Sequence, residues 1–335
     1  MRFGENPMKA KGKLVKPPAE ITVGVLNYIP DNIGYFQGQF DSLQLCLASI
    51  RHHANQPFEL MVVDNGSCDE VRLFLQSELS SGRIDYLILN SRNVGKRNGL
   101  LQVLQSAPGS MVFYTDGDIY FKPGWMDAHL EILRAFPKAG LIGGIPLRSL
   151  AEYCTPGTLR WVEENKDWLS VEKGELIPEE WTREFIKSIG LVRQSEKLVS
   201  EWQFLEDCRI TSNGVICYVG ASHMQFLTTR EAIAKLPQPR FEEAMGKITE
   251  TLDQIIEREG LLRLSAERPY VYHIGNTISE GWVREEFERL MEDSPAQLNR
   301  PTPARRRHWF WGRSKVRSLF QWVYEWAFDM YYQNA

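Results

Sequence analysis

The fold of this 335-residue chain is decided by the stretch SMVFYTDGD at residues 110–118. Its first six residues are largely apolar, which is typical of a strand buried on both faces of a parallel sheet. Two aspartates flanking a glycine follow directly behind that strand. In open α/β sheets, ligands bind at the carboxyl ends of the strands. The stretch therefore predicts both a buried strand and a ligand-binding edge.

Short apolar runs alternate with amphipathic stretches on both sides of this segment. The runs that predict strands are ITVGVL (21–26), FELMVV (58–63), IDYLIL (84–89), GVICYVGASHMQFL (214–227) and PYVYHIG (269–275). The stretches that predict helices begin at Asp41 or cover 69–81, 96–105, 229–236 and 247–259. This alternation predicts an α/β fold: a doubly wound, mostly parallel sheet with helices on both faces.

The composition excludes several classes of protein. With 43% hydrophobic and 24% charged residues the chain can bury a sizeable core, and a net charge of -4 gives no overall attraction to nucleic acid. Its five cysteines include no C-x-x-C pair, which indicates neither a disulfide framework nor a zinc site. No run of about eighteen apolar residues predicts a membrane span. We expect a cytoplasmic protein with no nucleic-acid partner.

Aspartates follow two of the predicted parallel strands. Asp64 ends the FELMVVD run, and Asp116 and Asp118 flank Gly117 behind the decisive strand. Carboxylates that converge on one edge suit Mg²⁺ or Mn²⁺, which prefer oxygen ligands and keep positions open for substrate phosphates. The alternative is that these aspartates cap the following turn or helix.

Four motifs together resemble one known family. They are ITVGVLNYIP (21–30), MVVDNGSCD (61–69), NSRNVGKRNGLLQVL (90–104) and FYTDGDIYFKPGWMDAHLEIL (113–133). The chain resembles the inverting glycosyltransferases of family two, which have the GT-A fold, well over 21–150 and loosely over 214–276. The resemblance implies a metal-dependent inverting glycosyltransferase that moves a sugar from a nucleoside diphosphate sugar, UDP-linked rather than GDP-linked, to an unidentified acceptor.

The resemblance also implies residue roles at the donor site. Asp64 would bind the base of the donor, Asp116 its ribose region, and Asn27 and Arg97 would help to hold the nucleotide. Asp118 would bind the Mn²⁺ or Mg²⁺ ion that bridges the diphosphate.

The catalytic base and the last metal ligand are expected in the second half. The family presents its base in a Glu-Asp pair on a late helix, and KITETLDQIIEREG (247–260) departs from that pattern. Asp253 and Glu250 are the nearest carboxylates, and the alternative is that both only favour the helix dipole. His273 in VYHIGN lies where many enzymes of this fold have a metal ligand. Its alternative is a hydrogen-bonded structural histidine.

We divide the chain at its changes of composition. Residues 1–20 predict a flexible basic tail, and 21–300 a GT-A domain with a nucleotide-binding half (21–120) and an acceptor half (121–300) that contains an insertion at 151–213. Residues 301–335 predict a basic, aromatic amphipathic helix. That C-terminal helix could form a homodimer, pack on the catalytic domain, or contact the inner face of a membrane.

The sequence lacks the phosphate-binding loop of two other nucleotide-dependent enzyme classes. A sugar nucleotidyltransferase or a dinucleotide oxidoreductase needs a Gly-rich phosphate loop after the first strand, which VLNYIPDNIGYF (25–36) lacks. A non-catalytic carbohydrate- or nucleotide-binding protein on the same fold stays open. The acceptor could be a polysaccharide, a lipid-linked sugar, a protein or a small natural product. Four tryptophans of the insertion suit either sugar stacking or a core, namely Trp161, Trp168, Trp181 and Trp202.

Overall fold

The computed structural model describes residues 17–148, 155–190, 197, 199, 205–236, 248–278 and 281–293. Most of the predicted N-terminal tail and the whole predicted C-terminal helix at 301–335 lie outside these residues. Among the described residues, no helix is both long and apolar enough to cross a membrane.

Strands occupy the positions that the apolar runs predict, with additional strands in the second half. Those of the described residues are β1 (Ile21–Asn27), β2 (Glu59–Asp64), β3 (Tyr86–Leu89), β4 (Met111–Asp116), β5 (Ile119–Phe121), β6 (Ala139–Gly143), β7 (Ser170–Gly174), β8 (Asp207–Ser212), β9 (Val215–Val219), β10 (Gln225–Thr229), β11 (Leu262–Ala266) and β12 (Val271–His273).

Helices connect most of these strands in the first half of the chain. The described α-helices are α1 (Gln39–His53), α2 (Asp69–Ser80), α3 (Lys96–Ser106), α4 (Trp125–Ala135), α5 (Pro156–Glu164), α6 (Glu179–Ser188), α7 (Arg230–Ile233), α8 (Ile248–Arg258) and α9 (Trp282–Asp293).

Ten of the described strands form one mixed sheet in the order β3-β2-β1-β4-β10-β6-β11-β9-β8-β7. The first four of these are parallel, as the alternation of strand and helix predicts. Strand β10 then enters antiparallel between β4 and β6. The α/β fold class with a sheet covered by helices is confirmed.

The predicted insertion is part of the same sheet. Strands β7, β8 and β9 form an antiparallel meander at one edge, joined to the rest through β11. Alternating burial on β8 is typical of a strand with one solvated face, whereas β1 is buried throughout. The break in rhythm at 151–213 therefore marks a change from parallel to antiparallel connections.

Close packing brings the start of α3 to the carboxyl edge of the sheet. Gly24 of β1 lies under α3, where a Cβ atom would collide with Cγ1 of Val103. Gly99 of α3 similarly faces Leu26, whose Cδ1 would be 2.7 Å from an added Cβ. A Cβ atom at either position would force the Val103 or Leu26 side chain to shift, so glycine favours this short helix-to-strand separation. The approach holds the first turn of α3, with Lys96 and Arg97, beside the ends of β1 and β4.

Candidate functional site

The end of β2 holds Asp64 in a fixed orientation. Asp64 is fully buried, and β1–β2 pairing sets it opposite Asn27. The Asn27 amide donates to Asp64 Oδ1 at 3.1 Å, and the backbone N–H of Ser67 donates to Oδ2 at 3.0 Å. Asn27 also donates to the Ser67 hydroxyl at 3.0 Å. A carboxylate accepts more than two hydrogen bonds, so Asp64 keeps capacity for a further donor.

Asn65 ties this turn to the loop that leads into α3. Its side-chain amide donates to Asn93 Oδ1 at 2.9 Å, and its own Oδ1 accepts the backbone N–H of Val94 at 2.9 Å. Asn93 Oδ1 in turn accepts from the backbone N–H of Gly95 at 2.7 Å. These bonds fix the approach to Lys96, the first residue of α3, relative to Asp64.

Both oxygens of Asp116, at the end of β4, have partners. Lys96 Nζ donates to Oδ2 at 2.7 Å, and the Tyr114 hydroxyl donates to Oδ1 at 2.7 Å. Burial raises the pKa of Asp116, and the charge of Asp118 adds to the rise, although Lys96 works against it. Asp116 and its neighbour Asp118 therefore share one desolvated corner in which cations are favoured.

Asp118 faces His273 across this corner. The pairing of β5 with β12 sets His273 opposite Ile119, and the backbone N–H of Ile274 donates to the Asp118 carbonyl at 2.8 Å. His273 Nε2 lies 3.5 Å from Asp118 Oδ2, while its Nδ1 is 3.0 Å from the Ser188 hydroxyl of α6.

The two residues shift each other's protonation. Burial alone would raise the pKa of Asp118, but the hydrogen bond and charge of His273, with the charge of Lys96, lower it overall. Burial would lower the pKa of His273, and the hydrogen bond and charge of Asp118 outweigh that effect and raise it. Asp118 is thus held as a carboxylate.

The Asp118–His273 pair fits a divalent cation that keeps open positions. Asp118 Oδ1 is buried and has no hydrogen-bond partner, which is costly for a charged oxygen unless a ligand meets it. A carboxylate oxygen and an imidazole nitrogen are both ligands of Mn²⁺. In the described part of the chain no group of three or more His, Cys, Asp or Glu side chains could hold a metal ion. A cation held by these two residues would have its other coordination positions open to a ligand such as a diphosphate.

Asp253, the first of the two candidate bases, lies in an interior ion pair. Asp253 of α8 is fully buried, with its Oδ1 3.0 Å from Nη2 of Arg263 on β11. Burial raises the pKa of Asp253 to about 6, Glu257 adds to this rise, and Arg263 opposes it. Glu250 lies one turn earlier on the same helix.

The predicted nucleotide-binding residue Arg97 is half-buried in the first turn of α3.

Two residues near the aspartates were missed by sequence reasoning. Lys96 pairs with Asp116, although the family resemblance drew attention only to the adjacent Arg97. His223 precedes Met224, whose carbonyl accepts the backbone N–H of Asp116 at 2.9 Å. Burial lowers the pKa of His223 to about 4, and Lys96 and Arg263 contribute. His223 is therefore neutral at pH 7. No spacing in the sequence links either residue to the aspartates.

A cleft lies beside His273. It lies between α6 and β12 and is lined by Lys122, Trp181, Glu184, Phe185, Tyr272 and His273, among others. Of the tryptophans considered above, Trp161 packs edge-on against Phe136 and Trp168 is exposed. Trp202 lies outside the described residues. Trp181 is therefore the insertion tryptophan that the structure brings to the vicinity of the aspartates.

The sequence matches the family model described as glycosyl transferase family 2 over residues 35–184. Residues 35–184 therefore match a family 2 glycosyltransferase domain, which confirms the resemblance inferred from the motifs. Asp64, Arg97, Asp116 and Asp118 lie within the matched region, whereas Asn27, Glu250, Asp253 and His273 lie outside it. No curated protein matches the chain.

Solved structures of glycosyltransferases resemble parts of the fold. Staphylococcus aureus TarS in complex with UDP-GlcNAc is 17% identical with a TM-score of 0.31, over 38% of this chain and 35% of that one. The mannosyltransferase PcManGT from Pyrobaculum calidifontis, in complex with GDP-Man and Mn²⁺, is 22% identical with a TM-score of 0.31 over 38% and 35%.

GalNAc-T7 with UDP, GalNAc and Mn²⁺ is 12% identical with a TM-score of 0.46, over 82% of this chain and 48% of that one. The chain spans less than half the length of each of these three structures.

Proposed function

We propose that this chain is a metal-dependent inverting glycosyltransferase that uses a nucleoside diphosphate sugar, UDP-linked rather than GDP-linked, as donor. The observation that carries the proposal is the buried, unpartnered Oδ1 of Asp118, beside His273 at the carboxyl edge of the sheet. A charged oxygen in that position calls for a cation, and the same edge is where open α/β sheets bind nucleotides.

The donor site divides between two strand ends. Asp64, oriented by Asn27 and the Ser67 amide, is suited to accept a hydrogen bond from the nucleobase. Asp116, at the end of β4, is suited to accept hydrogen bonds from the ribose hydroxyls. Arg97 would add a positive charge for the nucleotide from the first turn of α3.

Asp118 and His273 would hold Mn²⁺ or Mg²⁺ against the diphosphate. When bound, such an ion stabilises the charge that develops on the departing nucleoside diphosphate by Lewis acidity. Two features favour cation binding: the pKa of Asp118 is lowered, which keeps it ionised, and the Ser188 hydroxyl orients the His273 ring.

Inversion at the anomeric carbon requires a base that takes the acceptor proton. We propose Asp253 for this step and Glu250 as the alternative. A pKa raised to about 6 suits a base that works near neutral pH. Because Arg263 holds Asp253 inside the protein, Asp253 must leave this ion pair, or reach the acceptor through the protein's motion, before it can act.

The acceptor half would bind its substrate on the His273 side. Trp181 and Tyr272 line this cleft next to His273, and aromatic side chains pack well against sugar rings. We propose residues 121–300 as the acceptor half and 21–120 as the nucleotide half of one domain. Residues 301–335 would supply a homodimer or peripheral membrane contact, and we place the protein in the cytoplasm.

Calorimetric titration with UDP, GDP and their sugars tests the donor assignment, with and without Mn²⁺. We expect metal-dependent binding that favours UDP. Asp118→Asn, which keeps the size but loses the charge, should abolish the metal dependence while leaving the thermal unfolding temperature unchanged. Binding that ignores metal and favours neither diphosphate contradicts the proposal.

The second candidate function is a non-catalytic carbohydrate- or nucleotide-binding protein on the same fold. The enclosed Asp253–Arg263 pair favours it, because a base locked in an interior ion pair cannot accept a proton from a substrate. Release of free nucleoside diphosphate from the donor, by transfer or by hydrolysis, separates the two functions. Tight donor binding without any such release favours the binding protein.

A further inference from the structure

Lys96 already occupies the cation position beside Asp116. Its ammonium lies 2.7 Å from Asp116 Oδ2, and 42% of its side chain is exposed. Partial desolvation would lower the pKa of Lys96, but the charge and hydrogen bond of Asp116 and the charge of Asp118 outweigh it and raise the pKa. Lys96 is therefore protonated and positively charged at neutral pH.

Each aspartate of the Asp-Gly-Asp loop thus has its own cationic or hydrogen-bonding neighbour. Lys96 pairs with Asp116, and His273 lies against Asp118. A divalent cation that entered alone would meet the positive charge of Lys96 at close range, and like charges at that separation repel. A diphosphate brings the negative charge that removes this repulsion.

We propose that Lys96 is a donor-binding residue that exchanges Asp116 for the diphosphate, so that metal and nucleotide bind together. The inference rests on the proposed donor function and extends it. A lysine ammonium on a flexible stem serves as a point charge for phosphate and is free to turn from one oxygen to another. The Tyr114 hydroxyl remains on Asp116 Oδ1 and keeps that carboxylate oriented when Lys96 leaves.

The exchange predicts two effects of opposite sign when the charge of Lys96 is removed. Without the ammonium, Mn²⁺ gains a less repulsive site and should bind more tightly in the absence of nucleotide. With Mn²⁺ present, UDP loses a cationic partner and should bind more weakly. A residue that only holds the loop in place would weaken both.

The experiment measures both affinities in full-length Lys96→Met, by paramagnetic titration of Mn²⁺ alone and by calorimetry of UDP at saturating Mn²⁺. We expect Mn²⁺ to bind about tenfold more tightly without nucleotide and UDP about tenfold more weakly with it, the size of one charged hydrogen bond. Lys235→Met is the matched control, because Lys235 pairs with Glu259, the residue that follows α8, at 3.5 Å. It should change neither affinity.

Lys96→Arg keeps the charge and should return both affinities toward those of the unaltered protein, which separates loss of charge from loss of folding. Unchanged affinities in Lys96→Met, or a parallel weakening of both, overturn the exchange. An unaltered protein that binds neither UDP nor GDP with Mn²⁺ contradicts the proposed donor function instead, and it is recognised before any variant is measured.

Discussion

The carboxyl edge of the sheet and the interior beneath α8 each contain an aspartate paired with a cation, but in different surroundings. Lys96 and Asp116 meet where 42% of the lysine side chain reaches solvent, whereas the side chains of Arg263 and Asp253 are each 1% exposed. A partly solvated pair can exchange one member for a ligand at small cost. Exchange at an interior pair is far more costly, because the partner left behind is a buried charge. The edge pair is therefore suited to binding and the interior pair to holding α8 on β11.

Breaking the interior pair tests this contrast most severely. We expect Arg263→Met to lower the free energy of unfolding by about 3–5 kcal/mol, because it leaves Asp253 buried without its cation. Arg263 also donates to the Ala221 carbonyl at 2.8 Å, which adds to the loss. Urea unfolding followed by circular dichroism measures the change.

Two variants control for this loss. Lys96→Met, at the edge, should change stability by no more than about 1 kcal/mol. The double variant Arg263→Met, Asp253→Leu should regain much of the stability, because no unpaired charge remains. Equal losses at the edge and in the interior would remove the distinction between the two pairs.

A catalytic role for Asp253 would give the interior pair a function besides stability. If Asp253 accepts the acceptor proton, Asp253→Asn should lower the transfer rate by about a hundredfold while donor and metal affinities stay unchanged. Steady-state transfer assays, together with calorimetry of UDP, measure the two quantities. Glu250→Gln is the comparison, since Glu250 lies one turn away on α8. Full activity of both variants would assign Asp253 to stability alone and place the base elsewhere.

The pH dependence of the free energy of unfolding tests whether the pKa of Asp253 is raised in the interior pair. Asp253 titrates near 3.8 in the unfolded chain and at about 6 in the folded protein, so the folded state binds more protons between these values. Stability should therefore fall as pH rises from about 4 to about 6, by an amount on the order of 2 kcal/mol. Unfolding by urea at a series of pH values measures this slope. Asp253→Asn should flatten it in that window, and an unaltered slope would contradict the raised pKa.

The smallest expected effect concerns the other edge pair, Asp118 and His273. His273→Ala removes one proposed metal ligand of several, and we expect Mn²⁺ affinity in the presence of UDP to fall about tenfold, within the range seen for single changes around metal sites. Manganese titration followed by paramagnetic relaxation measures it. His52→Ala is a suitable control, because His52 contacts Arg289 on the α1–α9 side. An unchanged titration in His273→Ala would make His273 a structural histidine held by Ser188.

Much of the first half of the fold follows from local sequence patterns. Apolar runs such as ITVGVL become strands within one or two residues of the predicted limits, because burial on both faces requires an uninterrupted apolar run. Antiparallel insertion of β10 beside β4 was not predictable in this way. Strand order depends on which faces pack together after the chain has turned back, and periodicity carries no information about that.

The sequence by itself determined that Asp64, Asp116 and Asp118 stand at strand ends, because a carboxylate directly behind a buried parallel strand can lie only at the carboxyl edge of the sheet. Only the tertiary structure decided their partners. Lys96 meets Asp116 because glycines let α3 approach β1, and Arg263 meets Asp253 because α8 packs on β11. Strand ends are set by neighbours in sequence, whereas ion pairs between separate elements are set by packing.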